Sequence, residues 1–146
     1  MSDPIYRRDL LRLAADAAAA GRLETPHGSA TVHNPACGDR VTVDVRVEDD
    51  RIAVLTHHVQ ACVLTQASAA ILGAEAKGLD RAGLLALRKS VAAMLEGTGP
   101  VPGPPFQAYG AFNGVAEHKG RHVCVLLPLE AALEAMDVLE TAKPGA

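Results

Sequence analysis

Between residues 41 and 48 apolar and polar positions alternate without a break: Val41, Val43, Val45 and Val47 are separated by Thr42, Asp44, Arg46 and Glu48. A period of two sends the valines to one face and the polar side chains to the other, which predicts a half-buried strand with a charged outer face. Glu48, Asp49 and Asp50 read as a polar turn, and Ile52, Val54 and Thr56 as the return strand of a hairpin. A shorter third strand is expected over residues 29–33. Elsewhere the period lengthens. Asp3 and Pro4 suit the N-cap and first position of a helix that runs through Leu10, Leu11, Leu13 and the alanines at 17–20 and stops at Gly21. The β pattern ends after Cys62, and residues 66–76 read as an Ala-rich helix stopped near Gly78. Asp80 caps a further helix with Leu84, Leu85, Leu87, Val91 and Leu95 as its apolar positions and Gly97 as its stop. Four prolines and two glycines make residues 98–105 a loop. A last helix holds Leu129, Leu133, Met136 and Leu139, with Pro128 in its first turn, and the tail at 143–146 frays. Strands first and helices after predict an α+β layer: a small antiparallel sheet of about three strands with helices packed on one side.

Composition narrows the function. The 146 residues suit one domain, 1–146, with no linker to divide it. Aromatics are only 3% and Trp is absent, so Ala, Leu and Val must fill the core. The net charge is −3 with Lys and Arg scattered, which excludes a basic nucleic-acid-binding surface, and the shortage of aromatics excludes base-stacking platforms. Residues 52–74 lack Asp, Glu, Lys and Arg, yet His57, His58, Gln60 and Gln66 interrupt them, so no membrane span is expected. Three widely spaced cysteines do not form a disulfide framework, and Asp9, Arg12 and Asp16 break any secretory-signal pattern. The expectation is a cytoplasmic protein with reduced thiols.

Cys37 lies in Asn34-Pro35-Ala36-Cys37-Gly38-Asp39. Gly38 permits a sharp turn there, and the spacing can aim a thiolate and a carboxylate at one point, although the same residues are ordinary turn formers. Cys62 and Cys124 both fall near expected helix starts, where free N–H groups and the helix dipole favour thiolate over thiol. Three thiolates with a carboxylate or imidazole suit a tetrahedral zinc or iron site. With no C-x-x-C pair, small buried apolar cysteines are the competing reading. His57 and His58 are strand neighbours, so at most one can face a site. His122, two residues before Cys124, is the best imidazole candidate. Arg121, three before Cys124, is a surface charge or a cation that stabilises thiolates. No Walker loop, dinucleotide fingerprint, G-x-S-x-G elbow or H-E-x-x-H helix occurs.

The segment from Asn34 to Asp39 resembles the Asn-Pro-x-Cys-Gly-Asp motif of the U-type iron–sulfur cluster assembly family, which comprises NifU N-terminal, IscU and SufU proteins. Ala61-Cys62-Val63-Leu64-Thr65-Gln66-Ala67-Ser68 is similar to the family's second cysteine segment, and Arg121-His122-Val123-Cys124 followed by Leu127 and Ala131-Ala132-Leu133 to its third. The motifs fall in family order across roughly residues 5–140. Val123 stands where the IscU branch has a histidine, and the Leu-Pro-Pro-Val-Lys segment of that branch is absent. A helical insertion at about 77–110 and arginine three before the last cysteine resemble the SufU branch. Two departures are Gln60-Ala61 in place of Gly-Gly and Leu64-Thr65 in place of Ile-Ser.

The resemblance implies an IscU/SufU-like fold in which Cys37, Asp39, Cys62 and Cys124 hold Zn2+, with His122 as alternative fourth ligand. It implies that Cys37 accepts persulfide sulfur from a SufS-like cysteine desulfurase, a sulfurtransferase-like activity in which Arg121 stabilises the thiolate. The sulfur then passes to a downstream iron–sulfur assembly scaffold or apo-protein. One alternative is a scaffold on which Cys37, Cys62 and Cys124 hold a [2Fe-2S] cluster while it is built. An alternative of another class is a zinc-stabilised binding module without transfer chemistry.

Overall fold

A computed structural model describes residues 8–15, 19–35 and 38–142. Asp3, Pro4, Ala17, Ala18, Cys37 and the tail lie outside the described residues. In chain order the elements are α1 (Arg8–Ala14), β1 (Gly28–Asn34), β2 (Asp39–Glu48), β3 (Arg51–Gln60), α2 (Val63–Glu75) and α3 (Arg81–Glu96). Two 3-10 segments (Gln107–Val115 and Lys119–Arg121) then lead into α4 (His122–Ala142).

The valine alternation forms β2, the centre of an antiparallel sheet ordered β1-β2-β3. Val41, Val43 and Val45 lie opposite Val32, Ala30 and Gly28 on one side and Val59, His57 and Leu55 on the other. The hairpin turn is shorter than the sequence suggests. Glu48 pairs with Arg51, and only Asp49 and Asp50 turn the chain, both left-handed at φ 53° and 63°. Positive φ at both central residues is what a two-residue hairpin of this hand requires, and aspartate tolerates it better than most residues.

The helices cover the valine face. α4 packs on β1 and β2, α2 on β3 and α4, α3 on α4, and α1 on α2. Val41, Val43 and Val45 are fully buried there, in one cluster with Leu64, Leu72, Leu84, Leu129 and Met136. The opposite face is not simply solvated, as its charge suggests. Asp44 is fully buried, because residues 22–23 fold over it. Its carboxylate accepts from Arg22 Nε (2.6 Å), Arg22 Nη2 (3.2 Å), the Leu23 N–H (3.0 Å) and Ser29 Oγ (2.5 Å). Four donors satisfy a buried carboxylate without water.

Three expectations about helices change. α1 ends at Ala14, and Ala20 instead forms a parallel bridge to His57, with bonds from Gly21 N to His57 O (2.8 Å) and from His57 N to Ala19 O (2.9 Å). The open edge of β3 outcompetes alanine's helix propensity. α2 starts at Val63, three residues early. α4 starts at His122, so Pro128 lies in the helix interior and not in its first turn. The Asp80 cap and Gly97 stop hold as read: Asp80 Oδ1 accepts from the Gly83 N–H at 2.7 Å, and Gly97 is left-handed at φ 79°. Sequence periodicity missed the 3-10 segment at 107–115, which buries Tyr109, Phe112 and Val115 completely. Among the described residues no helix is long and apolar enough to cross a membrane.

Candidate metal centre

Asp39 opens β2, Cys62 is the N-cap of α2, and Cys124 sits in the first turn of α4. Each is placed by an element boundary. The inward parity that buries Val41 also turns Asp39 inward, where it is 3% exposed. Cys62 falls where β3 stops and α2 begins, and its backbone N–H donates to Asp39 Oδ1 at 3.1 Å. The carboxylate thus lies against the N-terminus of α2, where helix dipole and free N–H groups favour negative charge. Asp39 Oδ2 accepts from Thr65 Oγ1 at 3.0 Å and lies 3.5 Å from Cys62 Sγ.

The ligand atoms of Asp39, Cys62 and Cys124 all lie within 4.8 Å of one another. Tetrahedral zinc, with bonds of about 2.0 Å to oxygen and about 2.3 Å to sulfur, sets oxygen–sulfur edges near 3.5 Å and sulfur–sulfur edges near 3.8 Å. The Asp39–Cys62 edge already has that length, so the donor set fits a zinc ion. Cys62 is half-buried and Cys124 buried, which gives the cluster one accessible side. A hydrogen bond from Cys124 draws the Cys62 thiol below its ordinary range, against the cost of burial. The same bond, with burial and the charges of Cys62 and Asp39, pushes the Cys124 thiol up. A cation relieves this crowding of negative charge, and its binding releases thiol protons.

Of the remaining candidates, Cys37 lies outside the described residues. The residues around it close the β1–β2 turn: Asn34 pairs with Asp39, and Gly38, left-handed at φ 75°, donates its N–H to Asn34 O at 2.8 Å. The His122 ring is engaged elsewhere, with Nε2 3.0 Å from Ala116 O, and it is not in the cluster. Arg121 is half-buried at the end of the second 3-10 segment. His57 is the inward member of the histidine pair. It is buried against Gly73 of α2, where an added Cβ would stand 3.0 Å from its ring, while His58 is exposed. Thr65 was legible only as a departure from Ile-Ser, yet it touches Asp39 and the Cys124 carbonyl.

The sequence profile of the NifU-like N terminal domain matches residues 5–124. Two iron–sulfur cluster assembly scaffold proteins IscU of Archaeoglobus fulgidus are each 34% identical over 58 residues, 40% of this chain and 38% of theirs. The chain thus aligns with well under half the length of those relatives. The zinc-dependent sulfurtransferase SufU of Bacillus subtilis is 25% identical over 100 residues, 68% of each chain. Among solved structures, a nitrogen-fixing NifU-like protein (N-terminal) from Brucella abortus superposes with a TM-score of 0.89 at 32% identity, covering 96% of this chain and 97% of that one. A SufU protein of Fervidobacterium islandicum shares the fold, with a TM-score of 0.83 at 23% identity over 93% of this chain and 99% of its own.

Proposed function

The chain belongs to the NifU-like N-terminal domain family, and from that premise we propose that it serves iron–sulfur cluster assembly in the cytoplasm as a zinc-dependent acceptor of persulfide sulfur from a SufS-like cysteine desulfurase. The carrying observation is the convergence of Asp39, Cys62 and Cys124 from three separate elements to within 4.8 Å. In this reading Cys37 completes the ligand set and receives the sulfur. Its place two residues before Asp39 supports the first role, and the name of the Bacillus subtilis relative supports the second.

Bound zinc would supply stabilisation of cysteine thiolate at neutral pH. The remaining work belongs to the chain. Asp39 is held from both oxygens, by the Cys62 N–H and the Thr65 hydroxyl. Arg121 adds positive charge three residues from Cys124. The Cys37 thiolate attacks the terminal sulfur of the desulfurase persulfide. An S–S bond forms on Cys37, the donor's S–S bond breaks, and the desulfurase cysteine leaves as thiolate, so no outside oxidant or reductant is consumed. A downstream scaffold or apo-protein then takes the sulfur.

Metal content measured on tag-free protein should show about one zinc per chain, lost in Cys62→Ala. Cys37→Ala should abolish stimulation of the desulfurase, and full stimulation by that variant refutes the assignment. The 34% identity to scaffold proteins of Archaeoglobus fulgidus favours a second reading, assembly of a [2Fe-2S] cluster on the same thiolates. Anaerobic reconstitution separates the two: a stable visible chromophore with acid-labile sulfide supports the scaffold, and its absence supports sulfur transfer.

A further inference from the structure

α4 carries Pro128 in its interior. In an α-helix the N–H of residue 128 bonds the carbonyl of residue 124, and proline has no N–H. The carbonyl deprived of its helical donor therefore belongs to Cys124, a member of the metal centre. Thr65 supplies a donor from α2: its hydroxyl lies 2.9 Å from Cys124 O and 3.0 Å from Asp39 Oδ2. One turn later Ser68 donates to the next carbonyl, Val125 O, at 2.6 Å. Ser68 faces no ligand, whereas Thr65 stands between the α4 backbone and a carboxylate ligand. A hydroxyl has a single proton. Asp39 Oδ2 and Cys124 O, at nearly equal distance, compete for it, with Cys62 Sγ farther off at 3.6 Å, and Thr65, Asp39 and Cys124 are all buried.

We propose that Thr65 is the positioning residue of the metal centre, holding Asp39 Oδ2 toward the cluster, and that Pro128 loosens this hold by presenting the Cys124 carbonyl as a rival acceptor. The inference rests on the zinc reading above. With both oxygens bonded, to Thr65 and to the Cys62 N–H, the carboxylate plane is fixed. Loss of the Thr65 bond loosens that plane. The balance at Thr65 thus sets how firmly Asp39 would be held toward the metal.

Zinc affinity measured by competition with a chromophoric chelator tests this without any transfer assay. Thr65→Val should weaken binding by about 10–100-fold, the usual loss when a partner of a metal ligand is removed, while Thr65→Ser restores it to within about threefold. Pro128→Ala returns a backbone donor to Cys124 O and frees the Thr65 proton for Asp39, so affinity should rise by roughly three- to tenfold. That gain should vanish in the Thr65→Val background, because the two changes act on one proton. A wild-type chain that binds no zinc overturns the metal reading and this inference with it. Unchanged affinity in Thr65→Val, or a Pro128→Ala gain that persists without the hydroxyl, overturns the inference alone. Should Thr65→Val fail to fold, Pro128→Ala decides, and unchanged or weakened binding there refutes the competition.

Discussion

Asp44→Asn isolates the fold from the candidate metal centre. Asp44 and Asp39 are five residues apart on β2 and therefore face opposite sides of the sheet. The buried Asp44 carboxylate accepts two bonds from Arg22, one from the Leu23 N–H and one from Ser29 Oγ. Truncating one member of a buried ionic contact costs about 3–5 kcal/mol, and a hydrogen bond to a charged group contributes about 1.5–3 kcal/mol. Two discounts apply. Arg22 keeps 55% of its side chain in water and rehydrates, and asparagine retains one oxygen for Leu23 or Ser29. A loss of about 2–3 kcal/mol remains, or roughly 6–9 °C in melting temperature for a chain of this size. The pH dependence has a definite sign. Burial alone would push the Asp44 carboxyl up, but the bonds from Arg22, Ser29 and Leu23 outweigh it and hold it below the ordinary range. A depressed carboxyl contributes stability above its unfolded value, about 3.9, and loses it as pH falls through the lower folded value. The gap between wild type and Asp44→Asn should therefore be flat from pH 7 to about 5 and close in stronger acid. Urea denaturation followed by circular dichroism at several pH values measures it, with zinc affinity unchanged as the control. A variant as stable as wild type at pH 7, or a gap that does not narrow in acid, refutes the reasoning.

Gly73→Ala would set a Cβ 2.6 Å from Ala19 Cβ and 3.0 Å from the His57 ring. An overpacking loss of about 1–3 kcal/mol should appear in the denaturation midpoint, and an unshifted midpoint would show that residues 19–20 yield freely. Asp80→Ala removes the acceptor for the Gly83 N–H and should cost about 1 kcal/mol, read in the same assay. Chelator treatment should lower the melting temperature yet leave the far-ultraviolet helical signal intact. The apolar cluster runs from the sheet through α2, α3 and α4 and forms a core without the metal. Collapse of that signal would instead mark a zinc-stabilised binding module.

The hairpin, the Asp80–Gly97 helix and the layer order were legible because each rests on local rules: strand alternation, a side-chain cap, a left-handed glycine. The candidate metal centre was half legible. The family resemblance implied Cys37, Asp39, Cys62 and Cys124, of which Cys37 lies outside the described residues, and it left His122 as a rival that the bond to Ala116 O draws away. Asp44 was misread as a solvated charge because nothing in a two-residue period announces that residues 22–23 return over the sheet.

By itself the sequence determined which faces are apolar, where the chain turns and which side chains could bind metal. All of these depend on neighbours within a few residues. Only the tertiary structure decided which polar groups are satisfied and by whom: Asp44 by Arg22 from 22 residues away, the Cys124 carbonyl by Thr65 from 59. Buried hydrogen bonds must find partners wherever packing brings them, and that pairing is a property of the assembled layers and not of any one segment.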